Sequence, residues 1–172
     1  MKYFAVALFI ILLSLNLVVF NVDFYRDNAE CEGRCTEIRD YFIFGSLGNG
    51  FSDDELVHMH DVQELVHLGL ILLLFLIPIV VFSSKRDFFI GGIISGGVTL
   101  LFLLFIYLDF NLAFTLFHKI LFRNDLWLLP ANSLLITMFP ADFFYRAGVR
   151  IVLYISIFSG ISIIGGLIKW QK

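Results

Sequence analysis

Charged residues are scarce in this 172-residue chain. They make up 16% of it, whereas 59% of the residues are hydrophobic and 17% are aromatic. A soluble domain of this length needs more polar surface than that, so we expect lipid to be the solvent for most of the chain. The net charge of −3 gives no basic surface for nucleic acid. The sequence therefore indicates one integral membrane domain over residues 1–172, without a nucleic-acid partner.

Common catalytic signatures are also missing. The chain has no glycine-rich phosphate loop, no H-E-x-x-H and no G-x-S-x-G, and we expect no cofactor. Its two cysteines, Cys31 and Cys35, have neither the C-x-x-C spacing of redox proteins nor a four-ligand zinc pattern. On an oxidising face of the membrane such a pair can form a local disulfide, and a structural role is the interpretation we favour.

Four apolar runs are long enough to cross a membrane as helices, at about 1.5 Å per residue. They cover about residues 3–20, 65–82, 88–108 and 151–168. A signal peptide is an alternative for the first run, but the run is long and no small-x-small cleavage pattern follows it. The predicted fold is all-α, a polytopic membrane protein with four transmembrane helices.

Basic residues predict the orientation of these helices. Lys2, the Lys85–Arg86 turn, and Lys169 with Lys172 all fall on one side, which the positive-inside rule assigns to the cytoplasm. Both termini of this multi-pass protein are then cytoplasmic, in the cell membrane. The loops over residues 21–64 and 109–150 face outward together and form a helical cap.

The first outer loop places three histidines on one helix. A capping box at Ser52 to Glu55 predicts that this helix starts at Asp53 and runs into the second span. At about 100° per residue, His58 shares a face with carboxylates, and the opposite face has another His–carboxylate set: His60, Glu64 and His67. That set contains metal-binding residue types. Spread over two turns of a straight helix, these side chains cannot easily converge on one ion, so we predict a polar face and no metal site.

The second outer loop begins with an amphipathic helix over residues 111–122, of the kind that lies in the membrane interface. His118 falls on its polar side, where it either meets the first loop or is simply an interfacial side chain. A polar turn with an aromatic anchor, Trp127, follows. Residues 132–144 are too broken for a span and too apolar for a free loop, which predicts a segment packed over the membrane mouth.

Two motifs carry a resemblance to a known family. The first is Glu55-x-x-His58-Met59-x-Asp61-Val62. The second is Phe117-His118-x-x-x-Phe122-x-Asn124-Asp125-x-Trp127, followed by Leu135-Ile136-x-x-Phe139-Pro140-x-x-Phe143-Phe144. With the four spans and Tyr41–Phe42, they resemble the lipoprotein intramolecular transacylase family over essentially the whole chain. The chain departs from that pattern at Leu129 and Ser133, where the family usually has aspartate.

The resemblance implies an acyltransferase. Such an enzyme moves the sn-2 acyl chain of a diacylglyceryl lipoprotein onto the amine of the N-terminal cysteine and leaves a lyso lipoprotein. Its partners are that lipoprotein and membrane lipid, and the matching histidines are His58 and His118. One imidazole acts as a base, oriented by Asp61 or Glu55, because imidazole titrates near ambient pH. The polar turn then supplies substrate-binding residues, with the first two of them as candidate oxyanion donors: Arg123, Asn124, Asp125 and Trp127.

Two other functions fit parts of the sequence. A non-catalytic membrane protein would bind lipid or a protein partner through the same outer loops. A four-helix thiol oxidoreductase fits less well, because it normally needs two cysteine pairs and this chain has one with the wrong spacing.

Overall fold

The computed structural model describes residues 1–31 and 33–168, and within these ranges it has eight helices and no strand. Four are long: α1 (Lys2–Val19), α4 (Asp53–Val81), α5 (Lys85–Leu108) and α8 (Ala141–Leu167). Each is long and apolar enough to cross a membrane. The prediction of an all-α, multi-pass membrane protein with four transmembrane helices is confirmed. Lys169 and Lys172, used above for the orientation, lie outside the described residues.

Glycine and serine allow α5 and α8 to approach closely. A Cβ atom on Gly92 would lie 2.8 Å from the backbone oxygen of Ser159, and one on Gly166 would lie 2.8 Å from that of Lys85. The buried hydroxyls of Ser95 and Ser159 are 2.7 Å apart between the two helices. Small residues and hydrogen bonds of this kind hold helices together in lipid, where apolar burial gives little driving force.

Four shorter helices build the cap: α2 (Val22–Asn28), α3 (Cys35–Phe44), α6 (Phe110–Leu121) and α7 (Leu134–Met138). Side chains of α2, α3 and α7 share one apolar core with the beginnings of α4 and α8. This core includes Phe24, Ile38, Met59, Met138 and Phe143, all at most 6% exposed. The cap is therefore packed directly onto one end of the four-helix bundle.

A capping box begins α4, as the sequence predicts. The Ser52 hydroxyl accepts from the Glu55 amide at 3.4 Å, and the Glu55 carboxylate accepts from the Ser52 amide at 2.7 Å. The helix then continues without a break to Val81, past Pro78. His58 is therefore held on the same rigid element as the second predicted span.

The segment over residues 132–144 divides into two helices. Ser133 begins α7, and Pro140 stands at the N-cap of α8, where its missing N–H costs nothing. The last long helix consequently starts at Ala141, ahead of the apolar run over residues 151–168. At the end of the bundle away from the cap, Lys2 Nζ donates to the Phe82 carbonyl at 2.7 Å.

Candidate active site

His58 of α4 and His118 of α6 lie side by side, where the cap meets the bundle. Their ring centroids are 6.0 Å apart. The ring of Phe122 contacts both, at 5.2 Å from His58 and 5.4 Å from His118. Two imidazoles from two separate helices are thus brought side by side.

His118 is buried in an aromatic surround and is only 7% exposed. Its ring lies 4.1 Å from Phe114 and stacks on Trp127 at 4.8 Å with an interplanar angle of 30°. Of the two alternatives for His118, the contact with the first loop is the one observed, and its surroundings are aromatic. Trp127 is no membrane anchor, because it is 8% exposed and covers the imidazole.

One hydrogen bond fixes the orientation of His118. Its Nδ1 lies 2.7 Å from the backbone carbonyl of Phe114, one turn earlier in α6. A carbonyl can only accept, so Nδ1 carries the proton and Nε2 keeps the lone pair. Burial lowers the pKa of His118, with the Phe114 hydrogen bond opposing that shift. The ring is thereby held neutral, with Nε2 available as a base.

His58 is half-buried, ahead of the apolar run of α4. Among the described residues, its Nδ1 is a buried side-chain atom without a hydrogen-bond partner. Burial lowers the pKa of His58 to about 4, assisted by the nearby His118 and opposed by the charge of Asp61. A buried polar atom without a partner is expensive, so this nitrogen is suited to form a hydrogen bond with a bound substrate.

Asp61 and Asn124 join the two motifs. The Asn124 side-chain amide donates to Asp61 Oδ2 at 2.8 Å, and Asn124 Oδ1 accepts from the Leu126 amide at 3.1 Å. One N–H of the Asn124 amide is thus engaged with Asp61, and the second has no bond among those described. Asp61 acts on His58 through its charge, and the bond from Asn124 holds the turn after α6 against α4.

Glu55 has a different place from the one predicted for it. It is 2% exposed, and its Oε1 accepts from the Leu135 amide at 2.8 Å while Oε2 accepts from Ser52. Burial alone would raise the pKa of Glu55, but the amides of Leu135 and Ser52 outweigh it and hold the pKa below its ordinary value. Its two oxygens thus join the start of α4 to the start of α7 and do not orient a histidine.

The remaining residues of the polar turn divide by exposure. Arg123 and Asp125 are exposed at the rim of the site, and the Asp125 carbonyl accepts from the Leu128 amide at 3.0 Å. At the two positions that depart from the family pattern, Leu129 packs against the cap core and Ser133 caps α7. Serine and aspartate are comparable N-caps, so the helix start survives the exchange at residue 133.

On the opposite face of α4, the predicted set of His60, Glu64 and His67 does not come together. His67 Nε2 lies 2.8 Å from the Phe42 carbonyl and so links α4 to α3. The possible metal-ligand atoms of His60, Asp61 and Glu64 lie within 4.8 Å of one another, at the surface.

In the cap core, Cys31 and Cys35 form a disulfide and are 2% and 6% exposed.

Phe114 and Phe122 belong to the site without having been predicted as site residues. Each stands four positions from His118, on either side of it in the chain, which places them on one side of a helical turn. The spacing of four predicts that both rings lie near His118. It identifies them as site residues only when His118 is known to face inward.

The fold and the site define the class, a membrane-integral protein with two imidazoles side by side at one end of its helix bundle. The model of the family described as "Lipoprotein intramolecular transacylase Lit" matches residues 44–144, more than half of the chain. The chain therefore belongs to the lipoprotein intramolecular transacylase family, and it is an acyltransferase. Both histidines and the polar turn lie inside the matched residues.

Solved structures share the fold. The chain is similar to the membrane integral lipoprotein intramolecular transacylase Lit from Bacillus cereus, with a TM-score of 0.84 and 21% identity over 94% of this chain and 88% of that one. A variant of the same protein with histidine replaced by arginine gives a TM-score of 0.72 at 21% identity, covering 94% of this chain and 85% of that chain. Comparison with curated protein sequences gives no significant match.

Proposed function

We propose that His58 and His118 catalyse transfer of the sn-2 acyl chain of a diacylglyceryl lipoprotein to the α-amino group of its own N-terminal cysteine. The amine attacks the ester carbonyl, the ester C–O bond breaks, and an amide and a free glycerol hydroxyl result. The observation that carries the assignment is the pairing of the two imidazoles, 6.0 Å apart, in a buried aromatic site. Because amine and ester belong to one molecule, proximity needs no covalent enzyme intermediate.

Proton flow follows from the hydrogen bonds of the two rings. His118 presents an unprotonated Nε2, because its Nδ1–H donates to Phe114. This nitrogen accepts the proton that the amine loses as the new N–C bond forms. The unpartnered Nδ1 of His58 forms a hydrogen bond with the other reacting group, the ester. The ammonium first loses one proton to become a nucleophile. The second proton, taken up as the N–C bond forms, passes to the departing alkoxide, so the transfer step itself exchanges no proton with solvent.

Charge on the tetrahedral intermediate requires a donor. Asn124 donates one N–H to Asp61, and Arg123, the residue before it, is exposed. We assign the oxyanion contact to Arg123, since a guanidinium offers several N–H donors and a fixed positive charge. Asp61 has an indirect role, because its charge opposes the loss of basicity that burial imposes on His58.

The site faces the outer side of the cell membrane in this proposal, with both termini in the cytoplasm. Support comes from the end of the bundle opposite the cap. There Lys2 donates to the Phe82 carbonyl. Lys85, in the short turn between α4 and α5, donates to the carbonyl of Ile168. Basic residues of short loops collect on the cytoplasmic side. The cap and the two histidines then face the compartment in which diacylglyceryl lipoproteins are displayed.

Histidine variants test the proposal. We expect His58→Ala and His118→Ala each to lower the rate of conversion of a diacylglyceryl lipopeptide to its lyso form by roughly a hundredfold or more, as for lost acid–base groups. His60→Ala is the matched control, because this exposed imidazole stands two residues from His58 on the same helix. Conversion is measured by mass spectrometry on purified protein, with folding checked by thermal unfolding.

The pattern across the three variants decides between functions. If His60→Ala is inactive and His58→Ala is active, the site is on the other face of α4 and the assignment is wrong. If all three variants convert substrate at the wild-type rate, the histidines have no catalytic role. If the wild-type protein itself converts no diacylglyceryl lipopeptide, the outer loops bind lipid or a protein partner without catalysis.

A further inference from the structure

An apolar groove lies between α5 and α8, at the end of the bundle that carries the cap. Its volume is about 300 Å³, and its walls are the last two turns of α5 and one residue of α8: Leu100, Leu103, Leu104, Ile106, Tyr107 and Tyr145. Only hydrocarbon and two phenol rings line it. A surface of this composition at membrane depth suits a hydrocarbon chain.

The floor of the groove is closely packed. Ile106 is 5% exposed, and a Cβ atom on Gly148 of α8 would lie 3.2 Å from its Cδ1. The walls, in contrast, are open to the side: Leu100 is 67% and Tyr107 is 79% exposed. The groove therefore has a firm base and a lateral opening through which a chain can enter from the bilayer.

A stripe of aromatic rings connects the groove with the histidines. The ring of Tyr145, in the groove, lies 5.9 Å from Phe110, and Phe110 lies 5.9 Å from Phe114. Phe114 in turn lies 4.1 Å from His118. The last three residues stand four apart on α6 and occupy one face over about 12 Å of helix. The apolar surface is therefore continuous from the groove to the reacting imidazole.

We propose that this groove, with the stripe leading to it, binds the acyl chain that is transferred. This inference rests on the proposed function, because it places the ester carbonyl at His118 and lets the chain run from there along α6. At about 30 Å³ for a group the size of water or methylene, the groove has room for roughly ten such groups. It holds the end of a long chain, while the stripe contacts the longer part next to the carbonyl.

Chain-length selectivity tests the proposal. Leu103→Trp fills the groove, and we expect it to lower kcat/KM for a dipalmitoyl lipopeptide about tenfold or more, while a dioctanoyl lipopeptide, too short to reach the groove, reacts nearly as in the wild type. The matched control is Leu101→Trp, on the same helix but 71% exposed and outside the groove. It should treat both substrates like the wild type.

A second measurement covers loss of folding in the filled variant. Wild-type protein is incubated with a palmitoyl lipopeptide carrying a photoreactive diazirine near the chain end, and labelled residues are mapped by mass spectrometry. Labels at Leu103, Tyr107 or Tyr145 support the proposal. Labels confined to other surfaces, or equal rates of Leu103→Trp and wild type on the long substrate, overturn it and leave the groove to bilayer lipid. Absence of conversion of either substrate by wild type refutes the proposed function instead.

Discussion

Replacing the Glu55 carboxylate separates a positioning role from a catalytic one. In Glu55→Gln one side-chain oxygen remains, and the other becomes an NH2 group facing a backbone N–H of Ser52 or Leu135. The lost hydrogen bond to a charged acceptor costs about 1.5–3 kcal/mol, and two opposed buried donors add to that. We therefore expect a loss of about 2–4 kcal/mol in the free energy of unfolding, or roughly 4–16 °C in melting temperature for a chain of this size.

The assay compares stability with chemistry in the same preparation. Thermal unfolding in detergent gives the melting temperature, and lyso-lipopeptide formation well below it gives the rate. Asp54→Asn is the matched control, since this exposed neighbour loses the same charge from the same turn. We expect Glu55→Gln to lose stability and activity together, because α7 and the start of α4 loosen, and Asp54→Asn to change little.

The stability of the wild-type protein at low pH should also depend on Glu55. The pKa of Glu55 is lowered in the folded state from its ordinary value of 4.5. Its ionised form thus contributes stability above that value, and the contribution is lost as the pH falls through the folded-state pKa. Glu55→Gln should lack this part of the pH dependence. A Glu55→Gln variant with unchanged melting temperature and a hundredfold lower rate would refute the reasoning and return Glu55 to the chemistry.

Three further outcomes follow from the structure. The double variant Cys31→Ala, Cys35→Ala should keep its activity and melt at a lower temperature, because the disulfide lies in the cap core away from the imidazoles; complete inactivity of the folded variant would favour redox chemistry. Reporters fused at Ser84 should read as cytoplasmic and those at Asn132 as external, and a cytoplasmic reading at Asn132 would reverse the proposed orientation. NMR of labelled imidazoles should show His118 uncharged and protonated on Nδ1 from pH 8 to about 6.5, since its pKa is lowered; protonation of both nitrogens in that range would contradict the assigned tautomer.

Local rules suffice for the part of the site that lies on one helix. The capping box sets where α4 begins, and the helical period then separates His58 from His60 without any knowledge of the rest of the fold. The four spans follow equally from apolar runs, because lipid imposes a length on each. These features are readable from sequence since each depends on residues within a few turns of one another.

Contacts between distant segments are what the sequence could not supply. Glu55 appears beside His58 in the motif, yet its partner Leu135 is 80 positions away, and that bond decides its role. His118 reads as polar on an amphipathic helix, and its burial arises because the chain turns back and lays Trp127 on the ring. One N–H of Asn124 is bonded to Asp61, 63 positions earlier in the chain. Tertiary structure thus sets the surroundings of residues whose motifs alone do not reveal them.

Burial of the two imidazoles fits the proposed reaction better than it fits hydrolysis. A hydrolase must admit water and release an acid, which exchanges protons with solvent. In the intramolecular transfer, the proton that the neutral amine loses ends on the glycerol oxygen, so the transfer step itself needs no water. Neutral rings with lowered pKa values among Phe114, Phe122 and Trp127 avoid the cost of a buried charge before the substrate arrives. Aromatic rings around His118 also limit the approach of water to the ester, which favours the amine as the acceptor of the acyl chain.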